Sequence, residues 1–250
     1  MLNDAQVERA LVVTAHPDDV DFGAAGTVAR WTAAGIEVTY CIVTDGDAGG
    51  FDPSVPRSDI AGIRRAEQTA AAAAVGVSNL VFLGYRDGVV EASLGLRKDI
   101  SRVIRQVRPQ RVVTQSPQWN FDRIPASHPD HRATAEAALC AVYPDARNPF
   151  TFTDLLEQEG LDAWVVPEVW MMAGPNPTRP VDITDHVEAK IDALSCHASQ
   201  FREFAPVAER VRGWVAATAA QFGLGDGRSA EAFQVLEDLL ISRSPDRPTS

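Results

Sequence analysis

The stretch ALVVTAHPDDVDFG, residues 10–23, joins an apolar run to an acidic loop and then to a helix-forming segment. Six residues without a charge, rich in valine and leucine, are typical of a buried strand. Directly after it, Asp18, Asp19 and Asp21 crowd into four positions. Because like charges at this spacing repel one another, the sequence needs a reason to keep them at the end of a buried strand.

The same succession of apolar run, loop and helical segment recurs through the first 140 residues. Further apolar runs span 36–44, 79–85 and 111–116, and helix-forming segments span 22–35, 58–77 and 94–110. Gly35 and Gly76 stand where helix C-caps belong. Alternation at this spacing predicts parallel βαβ units. We therefore expect an α/β fold, with a mostly parallel sheet and helices on both faces.

The second half of the chain is less regular. Strands are predicted at 166–174 and 181–184, helices at 128–143, 185–201 and 206–222, and 231–240 fits either a last strand or a last helix. No internal repeat or linker divides the chain, so we expect a single domain, 1–250. Within it, a βαβ part reaches about residue 140, a part at 141–242 completes the pocket, and 243–250 is a tail.

Composition and charge limit the classes of partner. The chain has 23 basic and 34 acidic residues, a net charge of −11. Nucleic acids and anionic membranes need a basic surface, so neither is an expected partner, and no segment has the composition of a membrane span or a secretory signal. Cys41, Cys140 and Cys196 are odd in number and far apart, which favours reduced thiols in a cytoplasmic protein. A homo-oligomer remains possible on this composition.

His16 and Asp19 follow the first predicted strand at a spacing that lets both side chains reach one point. Imidazole and carboxylate are ligands for zinc and for other divalent transition metals. The same residues also suit a plain turn, in which Pro17 sets the bend and an aspartate caps the following helix. On this stretch alone, both alternatives stand.

A second histidine motif favours the metal site. Three of the five histidines lie in HPDD, residues 16–19, and HPDH, residues 128–131. Both motifs follow predicted strand ends, and ligands of open parallel sheets bind beyond the carboxyl ends of the strands. His16, Asp19 and His131 would supply three protein ligands and leave a fourth position for water, as in catalytic zinc sites. Zinc lowers the pKa of such a water, and a nearby carboxylate can then accept its proton, which turns the water into a nucleophile.

These motifs resemble those of a known family. AHPDDVDFGAAGTVARW, 15–31, and SHPDH, 127–131, are similar to the two signatures of the LmbE-like, or PIG-L, N-acetylglucosamine deacetylases. The resemblance continues through IRRAE (63–67), LGYRDG (83–88) and KIDALSCHASQF (190–201). It implies a Rossmann-like fold, a bound zinc ion, and hydrolysis of the acetamide of a small amino-sugar conjugate.

The resemblance also implies roles for individual residues. The metal ligands would be His16, Asp19 and His131. Asp18 matches the general base that takes a proton from the bound water, and His128 matches the residue that stabilises or protonates the tetrahedral intermediate. Asp130 resembles the carboxylate that orients His128. Asp21 stands where many members have glutamate, so we expect a shortened supporting or capping contact there.

The substrate side is less well defined. Arg64 resembles an arginine that reaches the substrate, although Arg64 and Arg65 are adjacent and either suits a solvated helix face. Asp87 fits a sugar-hydroxyl acceptor or an ordinary Asp-Gly turn. His197, in the helix predicted at 185–201, resembles a position near the site, but a helical histidine is also commonly a packed one. For residues 44–50, TDGDAGG, the flanking acids favour a rim loop over an anion-binding nest.

Apolar side chains and competing functions complete the sequence-based hypotheses. Trp119 and Phe121 fit the core or the rim by default, and because they precede SHPDH they also suit an apolar substrate wall. One alternative function is a thiol-conjugate amidase that cleaves a larger amide with the same metal. A more remote one is a Rossmann-type nucleotide-binding module, but GAAG (23–26) and GDAGG (46–50) do not give the G-x-G-x-x-G fingerprint. A protein that holds the metal without catalysis is a third.

Overall fold

The computed structural model describes residues 1–237, which form a seven-stranded sheet with helices on both faces. The strands are β1 (Arg9–Thr14), β2 (Glu37–Thr44), β3 (Asn79–Tyr85), β4 (Arg111–Gln115), β5 (Glu168–Met172), β6 (Arg179–Asp182) and β7 (Ala230–Glu237). The helices are α1 (Asp19–Gly23), α2 (Ala25–Ala33), α3 (Arg57–Ala74), α4 (Leu94–Val107), α5 (Pro129–Cys140), α6 (Thr153–Glu157), α7 (Val187–Ser195) and α8 (Ala205–Gln221).

The strand order is β3-β2-β1-β4-β5-β7-β6. The first five strands in that order are mutually parallel, and β7 runs antiparallel to both β5 and β6. The predicted α/β fold with a mostly parallel sheet is therefore confirmed. For 231–240, the strand alternative holds as far as Glu237; the remainder of that segment and the predicted tail lie outside the described residues.

Strand β1 is apolar from Ala10 to Val13 because both of its faces are covered there. Ala10 and Val12 belong to a core formed with α2, α3, α7 and α8. Leu11 and Val13 belong to a second core formed with α4 and α5. All four side chains are fully buried. A strand covered on both faces carries a continuous apolar run instead of an alternating one, which is the pattern of residues 10–15.

The helices change faces at the middle of the sheet, and this change creates the crevice. Helices α2 and α3 cover one face and connect the strands outward from β1 to β3, whereas α4 and α5 cover the other face. Strands β1 and β4 are neighbours at the point where the winding reverses. At such a switch point, the loops after the two strands diverge and leave a crevice at their carboxyl ends. The HPDD loop follows β1, and the HPDH motif follows β4.

The helix predicted at 22–35 is in fact two helices, broken at Ala24, whose φ of −147° is not helical. The Lys190 ammonium donates to two backbone carbonyls at the end of α1, at 2.8 and 2.7 Å. The Glu231 carboxylate accepts two backbone amides at the start of α2, at 3.1 and 2.7 Å. Because these two side chains also form an ion pair at 2.6 Å, α7 and β7 together stabilise the break.

Replacement of Lys190 by methionine is expected to lower the free energy of unfolding by about 3 kcal/mol, because it leaves Glu231 as a buried carboxylate without its cation. Equilibrium denaturant unfolding measures this change. The double variant Lys190→Met/Glu231→Gln removes the uncompensated charge and should recover part of the loss. An equal or larger loss in the double variant would contradict the unpaired carboxylate as the cause.

Cys41, Cys140 and Cys196 are free thiols, as their spacing predicted. Among residues 1–237, no helix combines the length and apolar character needed to cross a membrane.

Candidate active site

His16, Asp19 and His131 meet at the carboxyl edge of β1 and β4. His16 lies in the loop after β1, Asp19 is the first residue of α1, and His131 lies in the first turn of α5. The two oxygens of Asp19 lie 3.2 Å from His16 Nδ1 and 3.0 Å from His131 Nε2. The three side chains are only 12%, 11% and 16% exposed. The structure therefore brings together the three residues predicted as metal ligands.

The second ring nitrogen of His16 faces two more carboxylates. His16 Nε2 lies 3.1 Å from Asp87 Oδ1 and 3.2 Å from Asp130 Oδ2. Burial disfavours a charged imidazole, but the attraction of Asp19 and the hydrogen bonds that the ring donates to the acids around it outweigh burial and raise the pKa of His16 to about 12. The surroundings of this ring therefore strongly favour a positive charge.

This donor set fits a divalent transition metal. Two imidazoles and a carboxylate within contact distance are ligand types that zinc and its neighbours accept. A metal-ligating histidine commonly donates its other ring N–H to a carboxylate, and His16 Nε2 has Asp87 and Asp130 available for this contact. His128 adds a third imidazole, with ring centroids 5.0 Å from His16 and 5.2 Å from His131. Donor atoms of His16, His128 and His131 all lie within 4.8 Å of one another, as do those of His16, Asp87 and Asp130.

Asp18 is held beside this cluster in a left-handed backbone conformation, with φ of 89°. Its backbone amide donates to Gln68 Oε1 at 2.8 Å, and its carboxylate lies 3.2 Å from Arg64 Nη2. The same Arg64 nitrogen donates to the Pro17 carbonyl. Burial raises the pKa of Asp18 to about 6, and the Arg64 charge opposes this rise.

His128 has one nitrogen occupied by backbone. The amide of Asp130 donates to His128 Nδ1 at 3.2 Å, so in the neutral ring the proton resides on Nε2. Burial and the positive charge of His16 lower the pKa of His128, which favours that neutral form. The Asp130 carboxylate was expected to orient His128, but its hydrogen bonds go to other partners. It accepts the amides of Gly88 and Val90 at 2.7 and 3.2 Å and faces His16 instead.

Arg64 and Asp87 make supporting contacts where substrate contacts were expected. The Arg64 side chain is 4% exposed because it packs against the loop after β1 and holds Asp18. Arg65, the alternative, lies on the outer face of α3 and pairs with Asp45 at 2.7 Å. Asp87 precedes a glycine of positive φ, as the turn alternative predicted, but its carboxylate also faces His16 and accepts the Ala48 amide at 3.1 Å. The hydrogen bond from the Ala48 amide also attaches the loop at 44–50 to the edge of the site, where a rim loop was expected.

His197 lies beyond the helix in which it was predicted, and of its two expected roles, near the substrate or packed, the structure shows the packed one. Helix α7 ends at Ser195, so His197 lies just beyond it. Its side chain is fully buried, with Nε2 2.8 Å from Asp21 Oδ2. Gln68 Nε2 donates to the same Asp21 oxygen at 3.0 Å. Because Gln68 also accepts the Asp18 amide, Asp21 belongs to a buried support beneath the HPDD loop, the kind of contact expected of it.

A cavity of about 400 Å³ opens beside the cluster. Asp19 and His131 line it, together with Arg123 and with Trp214 of α8. Trp119 and Phe121, expected as the apolar wall, stack on each other with centroids 5.9 Å apart and are 48% and 78% exposed. They lie outside the lining, so the wall prediction is wrong for this cavity.

Five residues at the site were not predicted from the sequence as functional: Arg123, Trp214, Lys190, Glu231 and Gln68. The first four line the cavity, and Gln68 supports the HPDD loop beside it. Lys190 begins the KIDALSCHASQF segment (190–201) of the resemblance, but that resemblance implied no role for it. Their positions depend on contacts between elements distant in sequence, and the mixed composition of their segments gave no signal.

Comparison with known proteins places these motifs in a family. The family model described as "PIG-L: GlcNAc-PI de-N-acetylase" matches residues 11–142. Diacetylchitobiose deacetylase of Thermococcus kodakarensis is 33% identical over 197 residues, covering 79% of this chain and 72% of that protein. A Bacillus anthracis protein described as "Probable N-acetyl-alpha-D-glucosaminyl L-malate deacetylase 2" is 31% identical over 198 residues, 76% of this chain and 80% of its own.

The fold agrees with the sequence match. The structure of Pyrococcus horikoshii N,N'-diacetylchitobiose deacetylase in complex with an inhibitor superposes with a TM-score of 0.85 at 30% identity, covering 97% of this chain and 88% of the other. The family model covers more than half of the chain and includes both motifs whose side chains meet at the sheet edge. The chain therefore belongs to the PIG-L family.

Proposed function

We propose that this protein hydrolyses the N-acetyl amide of an amino-sugar conjugate, releasing acetate and a free amine, with a zinc ion held by His16, Asp19 and His131. The observation that carries this proposal is the meeting of these three side chains, two of which, Asp19 and His131, line a cavity. When bound, the metal would acidify a water molecule and polarise the amide carbonyl. The remaining chemistry belongs to the side chains around it.

Asp18 is the general base in this proposal. Its carboxylate takes a proton from the attacking water and later delivers it to the leaving amine. A base works best when its pKa lies near the working pH, and burial moves the pKa of Asp18 in that direction. Arg64 fixes the direction of the carboxylate, since it is anchored on the Pro17 carbonyl at the same time.

His128 stabilises the negative charge that develops on the amide oxygen. Because its Nδ1 accepts the Asp130 amide, the Nε2–H is free to donate to that oxygen. Asp130 and Asp87 hold His16 in place from behind. Asp130 is thus a positioning residue for His16 and, through its backbone, for His128.

The relatives support the reaction while differing in the attached group. They are named for diacetylchitobiose and for N-acetylglucosaminyl malate, which share an N-acetylglucosamine unit and differ in what is joined to it. The acetamide is therefore the common reacting group. The thiol-conjugate amidase alternative uses the same metal and differs in the acyl group removed.

Removal and return of the metal tests the proposal. Protein stripped of metal by a chelator should release acetate from N,N'-diacetylchitobiose or N-acetylglucosaminyl malate at least about 10³-fold more slowly than protein reloaded with zinc. The reason is that the metal lowers the activation free energy by several kcal/mol. Reloading with cobalt or manganese in parallel ranks the metals. Equal, negligible hydrolysis by metal-free and reloaded protein on both conjugates would overturn the proposal. Faster cleavage of a bulky acyl group than of acetyl would favour the amidase alternative.

A further inference from the structure

Two basic side chains other than the site histidine line the cavity, and only one of them is neutralised. Lys190 pairs with Glu231 at 2.6 Å and is 1% exposed. Arg123, in the loop between β4 and α5, has no carboxylate within salt-bridge distance among residues 1–237. In a chain with net charge −11, Arg123 thus places a positive charge without an acidic partner, among residues 1–237, on the cavity wall.

The guanidinium of Arg123 is held by stacking. Its Cζ lies 4.7 Å from the ring centroid of Trp214, which also lines the cavity and is 42% exposed. Arg210, one turn earlier on α8, lies over the same indole at 5.6 Å and likewise has no carboxylate partner in the described part of the chain. Stacking occupies the face of a guanidinium and leaves its in-plane N–H donors available for a two-point contact with an anion.

The charges around the cavity are divided. The acids of the metal cluster, Asp18, Asp19, Asp87 and Asp130, would repel an anionic group placed beside them. Around Trp214, the two arginines give the opposite sign. A conjugate whose acetamide lies at the metal cluster and whose attached group carries an anion would match both regions of the same cavity.

We infer that Arg123, stacked on Trp214, binds a carboxylate or phosphate on the group joined to the amino sugar, so that the protein prefers anionic conjugates over neutral ones. The inference rests on the proposed function, since it describes the second part of that substrate. Arg210, over the same indole, reinforces the local positive charge.

Kinetics on an anionic and a neutral conjugate test this inference. For Arg123→Gln, kcat/KM on N-acetylglucosaminyl malate should fall at least about tenfold, mostly through KM, because a charge-assisted contact to the ground state is lost. On N,N'-diacetylchitobiose, the same variant should stay within about twofold of the unsubstituted protein. Arg108→Gln is the matched control, since Arg108 stacks on Trp164 at 4.7 Å outside the cavity lining. Arg108→Gln should leave kcat/KM unchanged on both conjugates.

The remaining outcomes separate this inference from the proposed function. An equal loss on both conjugates, or no loss on the malate conjugate, would overturn the anion site while leaving deacetylation intact. If the unsubstituted, zinc-loaded protein hydrolyses neither conjugate, the proposed function fails. Calorimetric binding of the uncleaved malate conjugate then decides the inference: about tenfold weaker binding to Arg123→Gln supports it, and unchanged binding overturns it.

Discussion

Replacing His131 by alanine is expected to remove the bound metal and to lower kcat/KM for deacetylation by at least about 10³-fold. His131 Nε2 lies 3.0 Å from Asp19 Oδ1, so its loss leaves two of the three proposed ligands and one uncompensated carboxylate. Position 131 is in the first turn of α5, where alanine is an excellent helix former, and the fold should survive. Metal analysis after dialysis and acetate release measure the two effects separately.

His186→Ala is the matched control, because His186 lies outside the metal cluster, directly before α7. It should keep about one metal ion per chain and nearly full activity. If His131→Ala also kept about one metal ion per chain after dialysis, the assignment of His131 as a ligand would be wrong.

The convergence of the two histidine motifs was predictable because parallel strands bring their carboxyl ends to one edge. The apolar run 10–15 marks a strand with both faces covered, and 111–116 marks its parallel partner. Once those strands are neighbours, the short loop after β1 and the longer connection 116–128 after β4 leave from the same edge, so His16 and His131 can meet there. The chemistry of the motifs and the topology of the sheet thus predict the same edge independently.

What the sequence could not reveal depends on contacts between distant elements. The break between α1 and α2 depends on Lys190 and Glu231, which lie more than 150 residues beyond it and carry no local signal of partnership. The place of His197 beneath Asp21 depends on where α7 ends, and helix boundaries are weakly encoded when composition remains helix-forming. Arg123 and Trp214 meet only after α8 packs against the sheet.

Asp18→Asn should lower kcat by about 10³-fold while leaving the bound metal in place, because the variant removes the proton acceptor and no metal ligand. Asparagine has nearly the shape of aspartate and tolerates the left-handed region, which the φ of 89° requires. The backbone amide of residue 18 donates to Gln68 Oε1, and this hydrogen bond survives the change. The side-chain oxygen of asparagine can still accept from Arg64. The loss is therefore chemical instead of structural, and KM should change by only a few-fold.

Two measurements separate this role from the alternatives. Asp59→Asn, an exposed position in the first turn of α3, makes the same chemical change away from the site and should leave kcat within about twofold. Loss of metal along with activity in Asp18→Asn would make Asp18 a ligand and not the base. Retained metal with unchanged kcat would transfer the proton-accepting role to another group. Because Arg64 contacts the Asp18 carboxylate and Gln68 accepts the Asp18 backbone amide, the structure favours the first expectation: metal retained and turnover lost.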